Sequence, residues 1–291
     1  MLSRVSSESS SSSVFKDDVF SSLELSDSPT TPFGIKAFKE TTSQSLAVHS
    51  SEGPLDQYVV ESLSEMDDDK ETWNLIGQVN AGLAFAPPKL CSVGTGGVYF
   101  MKSALGFTVA VFKPTDEEPK GSNNPKGYGQ QQQQNEGGTE DSLRAGIRTG
   151  EGAVRECAAF LLDHQSVSGV PPTTMVSMTS RADRDLEKVG SLQKYIPFDF
   201  DAEECGTGLF SVEEVQKICL ADLRFVNTDR NGQNILVTKK KDGQTTLTPI
   251  DHGYCFPDTF SDIYFEWMHW PQAKKPFSST FLKSVPTLLC A

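Results

Sequence analysis

Apolar side chains recur at helical spacing in three segments of the chain, residues 71–86, 151–162 and 212–226. This period predicts three amphipathic helices, and a capping box formed by Ser211 and Glu214 marks the start of the third. The mixture of these helices with shorter apolar runs predicts an α+β fold. The runs between turn residues predict strands at residues 107–112, 170–178, 189–196 and 235–237, with one more strand before Asp251. The apolar faces predicted for the helices include Trp73 in the first, Val154, Cys157, Ala158, Leu161 and Leu162 in the second, and Leu223 in the third.

Polar residues interrupt this pattern in two places. Residues 1 to about 70 are rich in Ser, Thr, Asp and Glu and contain few aromatic residues, so they cannot bury enough apolar surface to fold. We expect a plain disordered tail there, although Ser28 and Thr31, each followed by proline, are candidate phosphorylation sites. An ordered domain is expected over residues 71–291. Within it, residues 116–150 include a run of five glutamines, which predicts a mobile loop insertion.

Composition and charge limit the classes of partner. The 291 residues carry a formal net charge of −13, which argues against nucleic acid because binding to it depends on neutralising phosphates. This charge gives no overall attraction to an anionic membrane, although a local patch could still dock. No stretch approaches the roughly 20 apolar residues of a spanning helix, so no transmembrane segment is expected. The six cysteines lack metal-like spacing and no secretory signal precedes them, which favours reduced thiols and a cytoplasmic location with peripheral membrane contact.

Two carboxylates and an amide cluster in one short stretch. Asp229 and Asn234 precede an apolar run, and Asp251 follows the next strand-like run. The Lys-Asp-Gly sequence at 241–243 is typical of a hairpin turn, and this hairpin would bring Asn234 and Asp251 together. Phosphoryl transfer needs such a set, because one carboxylate accepts a proton while the amide and the second carboxylate hold magnesium on ATP.

Three features of the first half of the domain fit the same chemistry. The glycine-rich turn at 91–100 would let backbone amides approach phosphates, and Lys113 ends the following strand. Glu156 lies in the middle of the second helix, where it could pair with that lysine; Glu151 is the other candidate. Each feature also has a plain interpretation, namely a simple turn between strands, a solvated lysine and a solvated glutamate.

An aromatic segment at 265–270 is followed by Lys274 and Lys275. It could contact lipid, with the lysines on headgroups. Core packing is the alternative, and the sequence does not decide between the two.

With these residues placed, residues 87–278 resemble the gamma-class phosphatidylinositol 4-kinases of plants. The motifs that carry the resemblance are Gly-Thr-Gly-Gly-Val-Tyr-Phe-Met, Val-Phe-Lys-Pro-Thr-Asp-Glu-Glu-Pro, Gly-Glu-Gly-Ala-Val-Arg-Glu, Gly-Val-Pro-Pro-Thr, Gly-Ser-Leu-Gln-Lys, Asp-Arg-x-x-x-Asn, Ile-Asp-His-Gly-Tyr-Cys and Trp-Pro-Gln-Ala. The resemblance implies a two-lobed, protein-kinase-like fold, with lobes at about 87–190 and 197–291. It also implies ATP and Mg²⁺ as cofactors and phosphatidylinositol in membranes as the acceptor.

The resemblance also implies roles for individual residues. Asp229 would be the catalytic base, and Asn234 and Asp251 would be the metal ligands. The predicted ATP-binding residues are Gly94, Thr95, Gly96, Gly97, Val98, Lys113, Glu156 and Asp251, with Gln193, Lys194, Tyr195 and Ile196 along the adenine.

Two departures from the family pattern stand out. Asn231 occupies a position that is often histidine in this superfamily, and the chain stops at Ala291, so we expect an incomplete second lobe. Three functions follow as hypotheses. The first is a phosphatidylinositol 4-kinase, the second is a Ser/Thr protein kinase on the same fold, and the third is a non-catalytic, pseudokinase-like binding module.

Overall fold

The computed structural model describes residues 58–64, 70–129, 142–163, 166–181, 186–259, 263–279 and 281–282. The three helices are α1 (Lys70–Leu83), α2 (Gly152–Leu162) and α3 (Val212–Phe225). The strands are β1 (Tyr58–Ser62), β2 (Lys89–Leu90), β3 (Tyr99–Lys102), β4 (Thr108–Pro114), β5 (Ser142–Arg144), β6 (Ile147–Arg148), β7 (Thr173–Ser180), β8 (Glu187–Lys194), β9 (Phe200–Asp201), β10 (Ile235–Lys239) and β11 (Thr245–Pro249). The predicted α+β fold is confirmed.

The N-terminal half is built on an antiparallel sheet with the strand order β1-β7-β8-β4-β3-β2. Helix α1 lies against β1, β3 and β4, and helix α2 lies against β7 and β8. The side chains that join α1 to the sheet are apolar and buried, and include Leu75, Ile76, Val79, Tyr99, Phe112 and Leu192. Burial of this apolar surface is the main force that holds the layers together.

The C-terminal half contains a smaller antiparallel sheet with the order β11-β10-β9. Helix α3 packs on β11, and the buried core beneath it includes Val215, Ile218, Ile235, Val237 and Leu247. As predicted, β10 and β11 form a hairpin, in which Ile235 pairs with Pro249 and Lys239 with Thr245.

The chain passes from the first sheet to the second directly after β8. Tyr195 packs with the cluster around Phe100 and Val111 in the first half. Ile196 packs with the cluster around Phe198 and Leu236 in the second half. Two successive residues therefore belong to different halves.

Two predictions of segments without regular structure are corrected. Tyr58–Ser62 falls inside the expected tail, but it forms β1 and pairs along its whole length with β7, because Val60 buries its side chain in the core. Residues 116–129 and 142–150 fall inside the expected mobile loop. The first segment contains a 3₁₀ turn at Thr115–Glu117 and a β-bridge between Lys120 and Gly129, and the second contains β5 and β6. The glutamine run, Ser28 and Thr31 lie outside the described residues.

The predicted helix faces are only partly correct. Trp73, Val154, Leu161 and Leu223 are more than half exposed, although the helices occupy the predicted positions. In α2, Cys157 is buried as predicted, and the other buried side chains are Ala153, Glu156 and Ala159. The periodicity predicts the position of the helix, whereas the ion pair between Glu156 and Lys113 of β4 accounts for a charged residue on the buried face.

Candidate functional site

A cavity of about 360 Å³ opens between the two sheets. Its lining contains most of the predicted site residues, drawn from both halves: Gly94, Thr95, Gly96, Gly97, Val98, Lys113, Glu156, Asp229, Asn234 and Asp251. The fold therefore brings together residues that are up to 157 positions apart in the sequence, from Gly94 to Asp251.

The glycine-rich turn between β2 and β3 is fixed by close backbone approach. The backbone of Gly94 has a positive φ of +74°, a conformation that glycine adopts without strain. A Cβ atom on Gly97 would lie 2.2 Å from Oε2 of Glu117, so only glycine fits beside this buried carboxylate. The Asn124 side chain donates a hydrogen bond to the carbonyl of Thr95 at 2.8 Å. This hydrogen bond anchors the turn to the segment that the sequence predicted to be a mobile loop.

Lys113, on β4, reaches carboxylates from both halves of the protein. Its Nζ donates to Glu156 of α2 and lies 3.0 Å from Oδ1 of Asp251. Burial alone would lower the pKa of Lys113, but Asp251 and Glu156 outweigh it and raise that pKa above its usual value. Burial acts to raise the pKa of Glu156, yet Lys113 and His252 hold it below its usual value. The predicted Lys113–Glu156 pair is present, whereas Glu151 pairs with Arg155.

A buried histidine extends this pair into the C-terminal half. The His252 ring is fully buried, with Nδ1 3.6 Å from Oε2 of Glu156 and Nε2 3.3 Å from the Arg230 guanidinium. Because the guanidinium can only donate, a hydrogen bond between the two side chains requires Nε2 as the acceptor. The histidine of the Asp-His-Gly motif therefore lies between Glu156 of the first half and Arg230 of the second.

Arg230 holds the loop that carries Asp229 and Asn234. Its guanidinium is buried, and Nε lies 2.9 Å from Oδ1 of Asp222. The same group donates to the carbonyls of Asn234 and Ile250, the latter at 2.9 Å. These bonds join the start of β10 and the end of β11, at the open end of the hairpin, to Asp222 of α3. The sequence prediction used Arg230 only as part of a motif, because nothing in the sequence shows that it is buried.

Asn234 and Asp251 meet at the open end of that hairpin, as predicted. The N–H of Ile250 donates to the carbonyl of Asn234 at 3.0 Å. The Asn234 side-chain nitrogen donates to the carbonyl of Asp229 at 3.1 Å, so this bond does not engage the amide oxygen. Asp251 has a left-handed backbone, with φ of 58°, which aspartate tolerates better than most residues.

Asp229 lies at the same end of the cavity. Burial and the nearby Asp251 raise its pKa to about 6, against the opposing charges of Arg144 and Arg230. A carboxylate with this pKa is ionised at neutral pH and is a stronger base than an ordinary aspartate. Arg144, from β5, donates directly to its carboxylate.

The four residues predicted to line the adenine do not line this cavity. The side chain of Gln193 points into the first half and donates to Thr173 at 2.9 Å. Lys194 pairs with Glu71 on α1. Tyr195 and Ile196 pack against the two apolar clusters described above, so their role beside an adenine remains a prediction from chain order.

Among the lining residues that the sequence prediction did not include, Glu118, Arg144 and Tyr254 have ionisable side chains. Glu118 accepts hydrogen bonds from the N–H groups of Gly150, at 2.7 Å, and Ala153. Burial raises the pKa of Glu118 to about 7. The acidic run that follows Lys113 in the sequence could have indicated Glu118, whereas no sequence feature indicated Arg144.

The aromatic segment is resolved in favour of core packing. Phe265, Trp267 and Trp270 are each less than 10% exposed and belong to the core beneath α3. The indole N–H of Trp267 donates to Asp222 at 2.8 Å. These rings are therefore not available to lipid, although Lys274 and Lys275 after them are exposed.

Comparison with known proteins agrees with this arrangement. Residues 94–284 match the model of the family described as phosphatidylinositol 3- and 4-kinase. The chain belongs to this family. It is 45% identical to phosphatidylinositol 4-kinase gamma 2 of Arabidopsis thaliana over 227 residues, which cover 70% of this chain and 40% of that protein. It is 40% identical to phosphatidylinositol 4-kinase gamma 8 of the same plant, over 74% of this chain and 43% of that protein.

A third relative is phosphatidylinositol 4-kinase gamma 4 of Oryza sativa subsp. japonica, 45% identical over 65% of this chain and 34% of that protein. The chain thus spans less than half the length of these relatives, and the resemblance to plant gamma-class kinases is confirmed. The family is one of kinase-type phosphotransferases that use ATP. Among the residues that the structure describes, no helix is long and apolar enough to cross a bilayer.

Proposed function

We propose that this chain is a kinase that transfers the γ-phosphate of ATP from the cavity to a hydroxyl acceptor. In this interpretation the two sheets form the two lobes of a protein-kinase-like domain. The observation that carries the proposal is the convergence of Lys113, Asp229, Asn234 and Asp251 on one cavity lined by a glycine-rich turn. Phosphoryl transfer depends mainly on positioning and charge neutralisation, and these residues supply both.

The chain's own groups have separate roles in the proposed reaction. Lys113, held by Glu156, would bind the phosphates. Asp229 would take the proton of the acceptor hydroxyl as the new O–P bond forms. The bond between the γ-phosphorus and the β–γ bridging oxygen breaks, and ADP leaves.

The donor set fits a hard divalent cation. Asn234 and Asp251 offer one amide oxygen and one carboxylate at the same hairpin end, and Mg²⁺ takes oxygen ligands of this kind together with substrate phosphates and water. No cluster of three or more His, Cys, Asp or Glu side chains suited to a metal occurs in the described part of the chain. A cation would therefore arrive with the nucleotide. When bound, Mg²⁺ would neutralise phosphate charge.

The acceptor we propose is the inositol 4-hydroxyl of phosphatidylinositol, presented by a membrane. The names of the relatives, at 40–45% identity, support it. The side chains that follow the aromatic segment, Lys274 and Lys275, are exposed and could contact anionic headgroups.

A Ser or Thr side chain of a protein is the second candidate acceptor. Burial of the aromatic segment favours it, since this was the main sequence feature suited to lipid contact. The net charge of −13 likewise gives no overall attraction to an anionic surface. The same catalytic atoms would serve either hydroxyl.

The test is transfer from γ-labelled ATP with phosphatidylinositol vesicles and a protein substrate assayed side by side. Labelled lipid supports the first acceptor, and label in protein alone supports the second. Folded protein that labels neither acceptor would refute both and favour a non-catalytic binding module.

A further inference from the structure

A short hairpin delivers Arg144 to the catalytic end of the cavity. Strands β5 and β6 pair with each other, and the carbonyl of Gly146 at their turn accepts a hydrogen bond from the N–H of Asp258 at 3.0 Å. Gly146 has a φ of +77°, and a Cβ atom there would lie 2.7 Å from the nitrogen of Thr259. Arg148, on β6, is 3.4 Å from Asp258. The hairpin is therefore seated on the segment that follows the Asp-His-Gly motif.

The Arg144 guanidinium contacts several groups beside the proposed base. It donates to the Asp229 carboxylate and, at 2.6 Å, to the carbonyl of Thr228. Its central carbon lies 5.3 Å from the centre of the Tyr254 ring, a distance typical of a cation–π contact. The side chain is 47% exposed, so it is placed by these contacts without being enclosed.

Positive charge is scarce in this cavity. Among its lining residues the only Lys or Arg side chains are Lys113 and Arg144, against four carboxylates: Glu118, Glu156, Asp229 and Asp251. Lys113 is already held by two of these carboxylates. Arg144 is therefore the cationic lining residue that contacts the Asp229 carboxylate, where the acceptor hydroxyl would approach.

The neighbouring Asn231 cannot supply that charge. Its side chain accepts from the N–H of Asn234 and donates to the carbonyl of Asp229, both at 3.2 Å. An amide in these bonds is neutral and serves to shape the loop.

We propose that Arg144 moves from Asp229 to the transferred phosphoryl group when nucleotide and acceptor bind, and neutralises the charge that this group carries in the transition state. The inference rests on the proposed kinase function. A planar guanidinium offers paired donors that match phosphate oxygens, and an arginine supplied to the γ-phosphate from within the same chain is an effective way to stabilise phosphoryl transfer. Release from Asp229 would also free the base for the acceptor proton.

Kinetics of three variants test the proposal. Arg144→Ala should lower kcat by about 100-fold, and Arg144→Lys should lower it by a smaller factor. The KM for ATP should change little in either variant, because the lost contact forms only in the transition state. Arg148→Ala is the matched control on the same hairpin, since Arg148 does not line the cavity. Millimolar guanidinium should restore part of the rate of Arg144→Ala and have no effect on Arg148→Ala, a rescue that a merely structural role would not show.

Binding of a transition-state mimic gives a second readout that needs no acceptor. The wild-type protein should bind Mg·ADP more tightly when aluminium fluoride is added, and Arg144→Ala should lose most of that gain while binding Mg·ADP normally. An unchanged kcat together with an unchanged gain overturns the proposal. A kcat that rises in Arg144→Ala also overturns the proposal, because it would mean that Arg144 inhibits the reaction by occupying Asp229. A wild-type protein that neither binds Mg·ADP nor transfers phosphate refutes the proposed function itself, and this inference with it.

Discussion

Lys113 Nζ lies 3.0 Å from Oδ1 of Asp251, so a lysine of the first sheet contacts a carboxylate that follows the second. Glu156 holds the same ammonium group from the other side. Magnesium-bound phosphates would attract both Lys113 and Asp251, the first to phosphate oxygens and the second to the cation. The contact therefore joins the two halves through two residues that are proposed to bind the nucleotide and its cation.

Replacement of the lysine separates nucleotide binding from folding. Lys113→Met should weaken ATP binding by about 10- to 100-fold, because a charge-assisted hydrogen bond of roughly 1.5–3 kcal/mol is lost. Lys102→Met is the control on the neighbouring strand β3, since Lys102 does not line the cavity. Titration with ATP and a thermal melt give both quantities. Loss of the melting transition in Lys113→Met would mean that the lysine is structural.

Removal of the second carboxylate should abolish the magnesium dependence of nucleotide binding. Asp251→Ala deletes the charged member of the pair that offers oxygen ligands, so ATP should bind equally weakly with and without Mg²⁺. Asp242→Ala, in the turn at the far end of the same hairpin, is the matched control. A magnesium titration that is unchanged in Asp251→Ala contradicts the assignment of this residue.

The buried arginine of the catalytic loop should be required for folding. Arg230→Met leaves Asp222 without its ionic partner in a fully buried position, and loss of one member of such a pair typically costs about 3–5 kcal/mol. Lys240→Met, at an exposed position, should change the free energy of unfolding by less than about 0.5 kcal/mol. Chemical denaturation measures both, and equal stabilities would show that the Arg230 network is not needed for folding.

Glu118 should make the protein less stable as pH rises. Burial raises its pKa to about 7 from 4.5, so between these values the folded state binds more protons than the unfolded state. The free energy of unfolding therefore falls as pH increases across this window. The facing groups are Lys113 and the N–H groups of Gly150, Gly152 and Ala153.

Comparison with Glu118→Gln isolates this contribution from the other carboxylates. Relative to Glu118→Gln, the wild type should lose free energy of unfolding as pH rises from 4.5 to 7, the window set by the two pKa values. Denaturation at several pH values measures it. A difference that is independent of pH would show that Glu118 has an ordinary pKa.

The sequence predicted the parts of the site that depend on short-range spacing. Asp229, Asn234 and the hairpin before Asp251 follow from local chemistry, and Lys113 and Glu156 follow from their order along the chain. Arg144 could not be predicted, because it meets Asp229 across 85 residues through a hairpin that is seated on Asp258. Strand β1 was missed for a similar reason, since five residues in a polar segment become a strand only beside β7.

Burial was the other property that the sequence did not reveal. The apolar stripe of α2 was placed on residues such as Leu161, which is 65% exposed, whereas the charged Glu156 is 1% exposed. A hydrophobic pattern ranks positions by polarity alone. An ion pair with Lys113 and a contact with His252 reversed that ranking in this helix.

The central claim is that Asp229 is the base of a phosphoryl-transfer site. The most direct measurement compares Mg·ATP affinity and the single-turnover transfer rate in the wild type and in Asp229→Asn. We expect similar affinity in both proteins, because Asp229 lies at the acceptor end of the cavity, and transfer only in the wild type. Equal transfer rates in the two proteins, or no Mg·ATP binding by the folded wild type, would contradict the account.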